Sequence, residues 1–206
     1  MNKRGFTLIE LMVSVTIFII VMVISLGSLL SISSAERRAE GLKTVMNNLN
    51  FGLESMTRSI RTGINYHCPA GGAAAVDEPQ DCTSGDDEVA FEAVWGDVSD
   101  SSDQVVYRLA NTESDRTICS QPTGTVGCIT RSLEGGGVNT FTAITAPEVV
   151  VTNLTFYVIG SVPQFQSDPE NAQPKVVITI GGRVLLGSQT TIFNLQTAVT
   201  QRLYDQ

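Results

Sequence analysis

The sequence predicts an α+β fold in which a long N-terminal α-helix packs on antiparallel β-sheet. Three observations lead to this prediction: an apolar run from Leu11 to Leu30, a stripe of apolar residues three and four positions apart after it, and alternating strand patterns from residue 88 onward. The length agrees, because removing the apolar segment from 206 residues leaves enough chain for one domain of modest size.

The apolar run "LMVSVTIFIIVMVISLGSLL" is long enough to cross a membrane as the first half of the helix. About 20 residues at ~1.5 Å rise each span a ~30 Å hydrocarbon core, whereas the apolar part of an ordinary signal peptide has only ~7 to 15 residues. Lys3 and Arg4 precede the run, and the acidic residues come mostly after residue 76. The positive-inside tendency therefore places the first residues in the cytoplasm and everything after the span outside it.

Glu10 is an unexpected residue on the first turn of this apolar segment. A charged side chain at the centre of a bilayer costs about 2.5 to 3.5 kcal/mol, so an ionisable residue inside a span predicts a functional site. The alternative is that Glu10, close to the end of the run, bends toward the lipid headgroups at little cost.

The stretch "KRGFTLIELMVSVTIF" resembles the N-terminal motif of type IV prepilins and of type II secretion pseudopilins, over residues 1 to about 30. The resemblance implies that a prepilin peptidase cuts after Gly5 and methylates the new N-terminal residue, Phe6. Glu10 then becomes the fifth mature residue. Cleavage also removes Lys3 and Arg4, which takes the net charge from −8 to −10.

The resemblance further implies that the carboxylate of Glu10 meets the N-terminal amine of a neighbouring subunit inside a filament. Both groups lie in an apolar medium, where an unpaired charge is costly and a paired one is tolerated. Association in one axial register would supply the partner that a lone subunit lacks.

The helix is predicted to continue past the membrane, from about Phe6 to Thr62, with Gly63 ending it and a length of ~80 Å. Its polar face carries arginine, lysine, asparagine and glutamate. A coiled coil would show the same pattern, but a strand-rich region follows, which favours packing on a sheet. Glycines at 27, 41 and 52 indicate either bends or close packing. The predicted apolar stripe consists of Ala35, Ala39, Leu42, Met46, Leu49, Leu53, Met56 and Ile60.

The predicted organisation is a leader at 1–5, a membrane span at 6–30, an amphipathic helix at 31–63 and an extracytoplasmic β-rich domain at 64–206. Residues 66–87 read as a loop, Gly181-Gly182 as a tight hairpin turn, "CSQPTGTVGC" as a second hairpin tip and "QTTIFNLQTAV" as the last strand. The residues predicted to be buried by alternation are Val89, Phe91, Ala93 and Trp95; Val105, Tyr107 and Leu109; Leu154, Phe156 and Val158; and Val176, Ile178 and Ile180.

Four cysteines follow the span, which predicts two disulfides outside the cytoplasm. Three pairings are open. Cys68–Cys82 with Cys119–Cys128 is favoured, because each bond would close a Gly/Pro-rich loop. A metal site has little support, since the sequence has no C-x-x-C and His67 has no second ligand at a useful spacing.

Neither an enzyme nor a cofactor is predicted. The chain has one histidine, His67, and a Ser/His/Asp triad would have to be built around it in a loop. Asp97, Asp100 and Asp103 are weak candidates for calcium ligands, but the stretch lacks the glycine and terminal glutamate of an EF-hand loop, which favours a solvated acidic loop. The net charge of −8 gives no support to nucleic-acid binding.

The function predicted from these features is that of a pilin-like structural subunit. It would lie in the cytoplasmic membrane, be processed by prepilin peptidase and assemble with other subunits into a type IV pilus, a DNA-uptake pilus or a type II secretion pseudopilus. The chain length, the strand groups and the ending "FNLQTAVTQRLYDQ" are loosely similar to the J-type minor pseudopilins, which implies a priming or tip position. The alternative is a single-span, membrane-anchored ectodomain that binds a partner and does not polymerise.

Overall fold

The computed structural model describes residues 5–68, 79–97, 99–121, 126–137, 139–161, 173–186 and 189–202. It has the predicted α+β architecture, with a long N-terminal helix and two antiparallel sheets, and is consistent with a pilin-like fold. The chain divides into two compact units, Met1–Lys43 and Thr44–Gln206. The elements are α1 (Leu8–Thr62), β1 (Ile64–His67), β2 (Cys82–Asp86), β3 (Glu88–Glu92), β4 (Val105–Ala110), α2 (Arg116–Cys119), β5 (Cys128–Ser132), β6 (Thr142–Ala143), β7 (Val149–Ile159), β8 (Lys175–Leu186) and β9 (Gln189–Thr200).

The buried face of α1 lies in the second unit and differs in part from the predicted stripe. Leu49, Met56 and Ile60 are buried as predicted, but Leu53 is only half-buried. The prediction missed Gly52, which is buried because the backbone of the segment before β7 lies against it. A Cβ at this position would come within 2.9 Å of the Ile144 carbonyl oxygen, so Gly52 marks close packing. Of the other stripe residues, Leu42 and Met46 are half-buried, and Ala35 and Ala39 are exposed. Val45, which was not in the predicted stripe, is buried.

Gly63 follows the last residue of α1, as predicted, and the turn there is held by Tyr66. The Tyr66 hydroxyl lies 2.6 Å from the carbonyl oxygens of Ile60 and of Gly63 and shares its one proton between them, in addition to the bonds that these carbonyls accept from the Gly63 N–H and the Gln201 side chain. A Cβ on Gly63 would overlap the ring of Phe91, so only glycine allows the helix end and β3 to lie this close.

The five-stranded sheet has the order β1-β3-β4-β5-β6, and both of its faces are largely buried. The predicted alternation is therefore incomplete here: Val89, Phe91 and Ala93 are buried, but so are Ala90 and Glu92. Trp95 was predicted to be buried and is instead exposed, because β3 ends at Glu92. On β4, the three residues predicted to be buried are all buried: Val105, Tyr107 and Leu109.

The four-stranded sheet has the order β2-β7-β8-β9, and the predicted alternation on β7 and β8 is confirmed. The predicted hairpin turn at Gly181-Gly182 is wrong, since both glycines lie inside β8. β8 pairs with β9 in antiparallel register from Lys175 to Leu186, and Gly181 and Gly182 lie opposite Asn194 and Phe193. A Cβ on Gly182 would lie 2.6 Å from the Val150 carbonyl oxygen. The last predicted strand is confirmed as β9.

Two segments predicted as irregular contain regular structure. The predicted loop at 66–87 includes part of β1, which pairs with β3, and all of β2, which pairs with β7. Cys119 was placed in a hairpin but ends the short helix α2, so "CSQPTGTVGC" joins a helix to a strand. β2 has the sequence "CTSGD", which is poor in β-branched residues, and its strand conformation depends on pairing with β7.

Candidate functional site

The N-terminal residues of the predicted motif lie at the start of α1, where Thr7 caps the helix. The backbone N–H of Glu10 donates to Thr7 Oγ1 at 3.4 Å, and the backbone N–H of Leu11 donates to the Thr7 carbonyl at 3.2 Å. "TLIE" has the S/T-x-x-E spacing of a capping box, so the start of the helix is marked in the sequence itself. The cap fixes the start of the helix and places Glu10 in its first turn.

Gly5, Phe6 and Glu10 are all exposed in the structure. A Cβ on Gly5 would meet nothing within 4 Å, so packing does not explain the glycine, whereas recognition by a peptidase would. Phe6 is 82% exposed. Within the described part of the chain the carboxylate of Glu10 forms no ion pair. These positions are therefore accessible to an enzyme or a neighbouring subunit, while cleavage, methylation and pairing stay predictions.

The helix that follows is long and apolar enough to cross a membrane. Its most apolar 18-residue window has a mean hydropathy of 2.7, and none of that window is buried. The hydroxyls of Ser14, Thr16 and Ser25 donate to the carbonyls of Leu11, Met12 and Val21 at 2.8 to 2.9 Å. Hydroxyls bonded within their own helix need no water, which makes them compatible with hydrocarbon.

The structure contains the cysteine pairing that the sequence favoured. Cys68, just after β1, is bonded to Cys82, the first residue of β2, with a Cα–Cα distance of 6.1 Å. This bond links the two sheets, because β1 belongs to the five-stranded sheet and β2 to the four-stranded sheet. Cys119 is bonded to Cys128 at a Cα–Cα distance of 5.6 Å and joins α2 to β5.

The three candidate calcium ligands use their carboxylates in local turns. Asp97 Oδ1 accepts from the N–H and hydroxyl of Ser99, Asp100 Oδ1 accepts from the same two groups of Ser102, and Asp103 Oδ2 accepts from the N–H of Asp97. These bonds hold the pKa values of Asp97 and Asp100 below the usual range. In the described residues, no three His, Cys, Asp or Glu side chains are grouped as metal ligands. Calcium binding by these aspartates stays a prediction.

His67 lies in β1 with its ring fully buried, and its Nδ1 is 3.0 Å from the Asn65 carbonyl oxygen. A general base must reach a substrate, and this ring is closed off from solvent. The position of His67 therefore gives no support to the triad considered from the sequence.

A polar cluster around Arg108 was not singled out from the sequence. Asp115 Oδ1 pairs with the guanidinium of Arg108 at 2.8 Å, and its Oδ2 accepts from the hydroxyl and N–H of Thr112 at 2.6 and 3.1 Å. Burial raises the pKa of Asp115, but the Thr112 bonds and the Arg108 charge together outweigh burial, and the pKa is lowered. Glu88 lies opposite Arg108 on β3, and burial raises its pKa.

Comparison with known proteins gives one family match. Residues 1–26 match the model of the prokaryotic N-terminal methylation motif. No curated protein and no solved structure matches the chain. The match supports a type IV prepilin-like family and a processed subunit of the pilin or pseudopilin kind, and it suggests a single-pass membrane anchor. It ends at residue 26 and does not support the J-type detail.

Proposed function

We propose that this chain, which carries a prokaryotic N-terminal methylation motif, is a pilin-like subunit that assembles with others through its N-terminal helix. The observation that carries the proposal is the coincidence of the motif with the exposed start of a helix apolar enough to span a membrane. Prepilin peptidase would cut between Gly5 and Phe6 and methylate the amine of Phe6. The mature chain then begins two residues before the helix.

Assembly follows from the position of Glu10 four residues after Phe6. Phe6 lies just before the helix and Glu10 in its first turn, so amine and carboxylate are both exposed at the start of the helix, where a neighbouring subunit can reach them. Each group is costly when unpaired in hydrocarbon, and pairing across subunits removes that cost in one register. The register of the filament is therefore set by this pair.

The proposal extends to location and role. The domain lies outside the cytoplasmic membrane, where an oxidising compartment maintains the two disulfides. The machine is a type IV pilus or a type II secretion pseudopilus, and the subunit is a minor one that primes assembly or sits at the tip. The minor role is supported by the loose J-type resemblance alone. No cofactor or catalytic role is included.

The test is the N-terminus of the protein purified from a membrane that contains prepilin peptidase. Intact-mass measurement and N-terminal sequencing should show a chain that begins at methylated Phe6. The control is the variant Gly5→Val, which should keep its leader, because a peptidase that requires glycine rejects a branched side chain. A natural chain that begins at residue 1 would favour the membrane-anchored, non-polymerising ectodomain, and one that begins near Glu36 would show that the apolar segment is a cleaved signal peptide. Either result would overturn the proposal.

A further inference from the structure

β9 lies at one end of the four-stranded sheet and pairs with β8 along its whole length, from Gln189 to Thr200, without a register shift. Its other edge is about 40 Å long, and alternate N–H and C=O groups of the strand point to it. In the part of the chain that the structure describes, no backbone hydrogen bond joins β9 to any element except β8. This edge can therefore accept an added strand.

The edge of β9 lacks the features by which proteins prevent unwanted strand pairing, which are short length, bulges, prolines and charged side chains. β9 has 12 residues, with no charged residue and no proline among them. The other edge strands of the two described sheets are β1, β2 and β6, which have only four, five and two residues. The pairing of β1 and of β2 also shifts register. The contrast indicates that β9 is an edge used for pairing with another chain.

A groove of about 200 Å³ lies beside this edge, between α1 and the sheet. Its lining includes Leu53 of α1, Ile178 and Ile180 of β8, and Leu195 and Thr197 of β9. The two β8 residues are buried, whereas the β9 residues and Leu53 are only half-buried. Because exposure increases from β8 to β9, the groove opens toward the free edge.

The groove and the strand together define the chemistry of an added strand. Side chains of a strand alternate between the two faces of a sheet, so every second one would lie on the groove side, next to Leu195. The others would lie beside Asn194 and Gln196, which are exposed. β9 offers no counter-charge, so a charged residue pairing there would lose water without compensation. The fitting segment is uncharged, with apolar and polar residues in alternation.

We propose that the free edge of β9 is a docking site for an extended, uncharged segment of a partner protein, which pairs with β9 in antiparallel orientation as a fifth strand of the sheet. Main-chain hydrogen bonds supply the affinity, and the groove beside Leu53 and Leu195 selects apolar side chains at alternate positions. Antiparallel pairing is the more stable arrangement. The site belongs to the second unit alone and does not depend on the proposed function.

The experiment uses the full chain in detergent and a dye-labelled, uncharged peptide of about ten residues, long enough to cover most of one strand, in which valine and threonine alternate. Fluorescence anisotropy measures binding, and hydrogen exchange followed by mass spectrometry locates it. Exchange should slow in residues 189–200 when the peptide is added. Residues 82–86 of β2, at the opposite end of the same sheet, are the internal control and should not change.

Two further peptides separate main-chain from side-chain recognition. Methylation of the peptide nitrogens that would face β9 removes the donors but keeps every side chain, and it should weaken binding at least about tenfold. Replacing valine by alanine keeps the main chain but leaves the groove partly empty, and it should weaken binding about fivefold.

A matched pair of variants tests the position on the protein. Ala198→Lys adds a charge to an exposed position of β9 and should weaken peptide binding about tenfold, because lysine on an edge opposes pairing. Thr83→Lys adds the same charge to an exposed position of β2 and should leave binding unchanged. Circular dichroism of both variants shows whether the sheets are intact.

Four results would each overturn the inference. They are unchanged exchange in β9 at about 1 mM peptide, equal binding of the methylated peptide, equal protection of β2, and equal binding by Ala198→Lys. Protection of β9 that rises with protein concentration in the absence of peptide would show that a second copy takes the edge, and it would also overturn the proposal.

Discussion

In the proposed function, assembly depends on Glu10, whose main-chain and side-chain roles are separable. Its N–H donates to Thr7 Oγ1, which fixes the first turn of the helix, whereas the side chain is exposed. A substitution that removes the carboxylate should therefore leave the helix and the membrane anchor intact.

We expect Glu10→Ala to leave insertion and cleavage after Gly5 unchanged and to reduce incorporation into filaments strongly. The loss leaves the amine of Phe6 without its counter-charge, and breaking a buried pair costs about 3 to 5 kcal/mol. The measurement is the fraction of subunit recovered in sheared filaments or crosslinked to partner subunits. Glu36→Ala is the control, because that carboxylate lies past the apolar run. Undiminished incorporation of Glu10→Ala would remove the register argument.

Two adjacent glycines in β8 have different physical constraints. A Cβ on Gly182 would collide with the Val150 carbonyl oxygen of the next strand and with the ring of Phe193. A Cβ on Gly181 would lie 3.0 Å from the end of the Asn194 side chain, which can rotate away, and 3.6 Å from Asn153 Cβ, an ordinary contact.

We therefore expect Gly182→Ala to destabilise the domain by about 2 kcal/mol, the range of strain from overpacking, and Gly181→Ala to change stability by less than about 1 kcal/mol. Denaturant unfolding of the full chain in detergent, followed by the circular dichroism of the β-sheets, compares the two variants. If both variants lose the same stability, the close approach of β7 and β9 is not the reason why position 182 requires glycine.

At the scale of elements, Arg108 links β4 to the segment that leads into α2. It faces two carboxylates whose pKa values shift in opposite directions, lowered for Asp115 and raised for Glu88. A carboxyl with a lowered pKa stabilises the fold above its unfolded pKa, and this contribution disappears as the pH falls through the folded value. A carboxyl with a raised pKa stabilises the fold at low pH, where it is protonated. This stabilisation disappears as the pH rises through the pKa of the folded state.

We expect Asp115→Asn to lower stability at pH 7 by about 1 to 3 kcal/mol, through the lost charge-assisted bond. The difference from the wild type should shrink as the pH falls below about 4, where an unfolded aspartate becomes protonated. Glu88→Gln should instead raise stability slightly at pH 7, because a neutral group replaces a carboxylate that burial disfavours. Unfolding curves between pH 3 and pH 7 test both signs (range chosen around the ordinary carboxyl pKa, about 4). The same sign for both variants would contradict this account of Arg108.

At the scale of the whole molecule, covalent and backbone contacts hold the second unit together. The Cys68–Cys82 bond links the two sheets, and the N–H of Arg202, just after β9, donates to the carbonyl of Arg61 near the end of α1 at 2.8 Å. Residues distant in sequence thus meet at the end of the helix. A disulfide between the sheets stabilises mainly by limiting the unfolded chain.

Much of this molecule could be predicted from local patterns. The apolar helix, its end at Gly63, the alternation on β7 and β8 and the last strand all follow from short-range chemistry. The accessible positions of Gly5, Phe6 and Glu10 agree with a motif read from consecutive residues, because that site lies within six residues of one segment and needs no distant contact.

The sequence by itself determined the long apolar N-terminal helix, the N-terminal motif and the α+β class, because each depends on spacing along a single segment. Only the tertiary structure decided that both faces of β3 are covered, that Gly181 and Gly182 lie inside a strand, and that Gly52 is a core position. These features depend on which distant backbone approaches a residue, such as Ile144 at Gly52 or Val150 at Gly182. The periodicity of a sequence depends on one segment alone, whereas close packing depends on the two segments that meet.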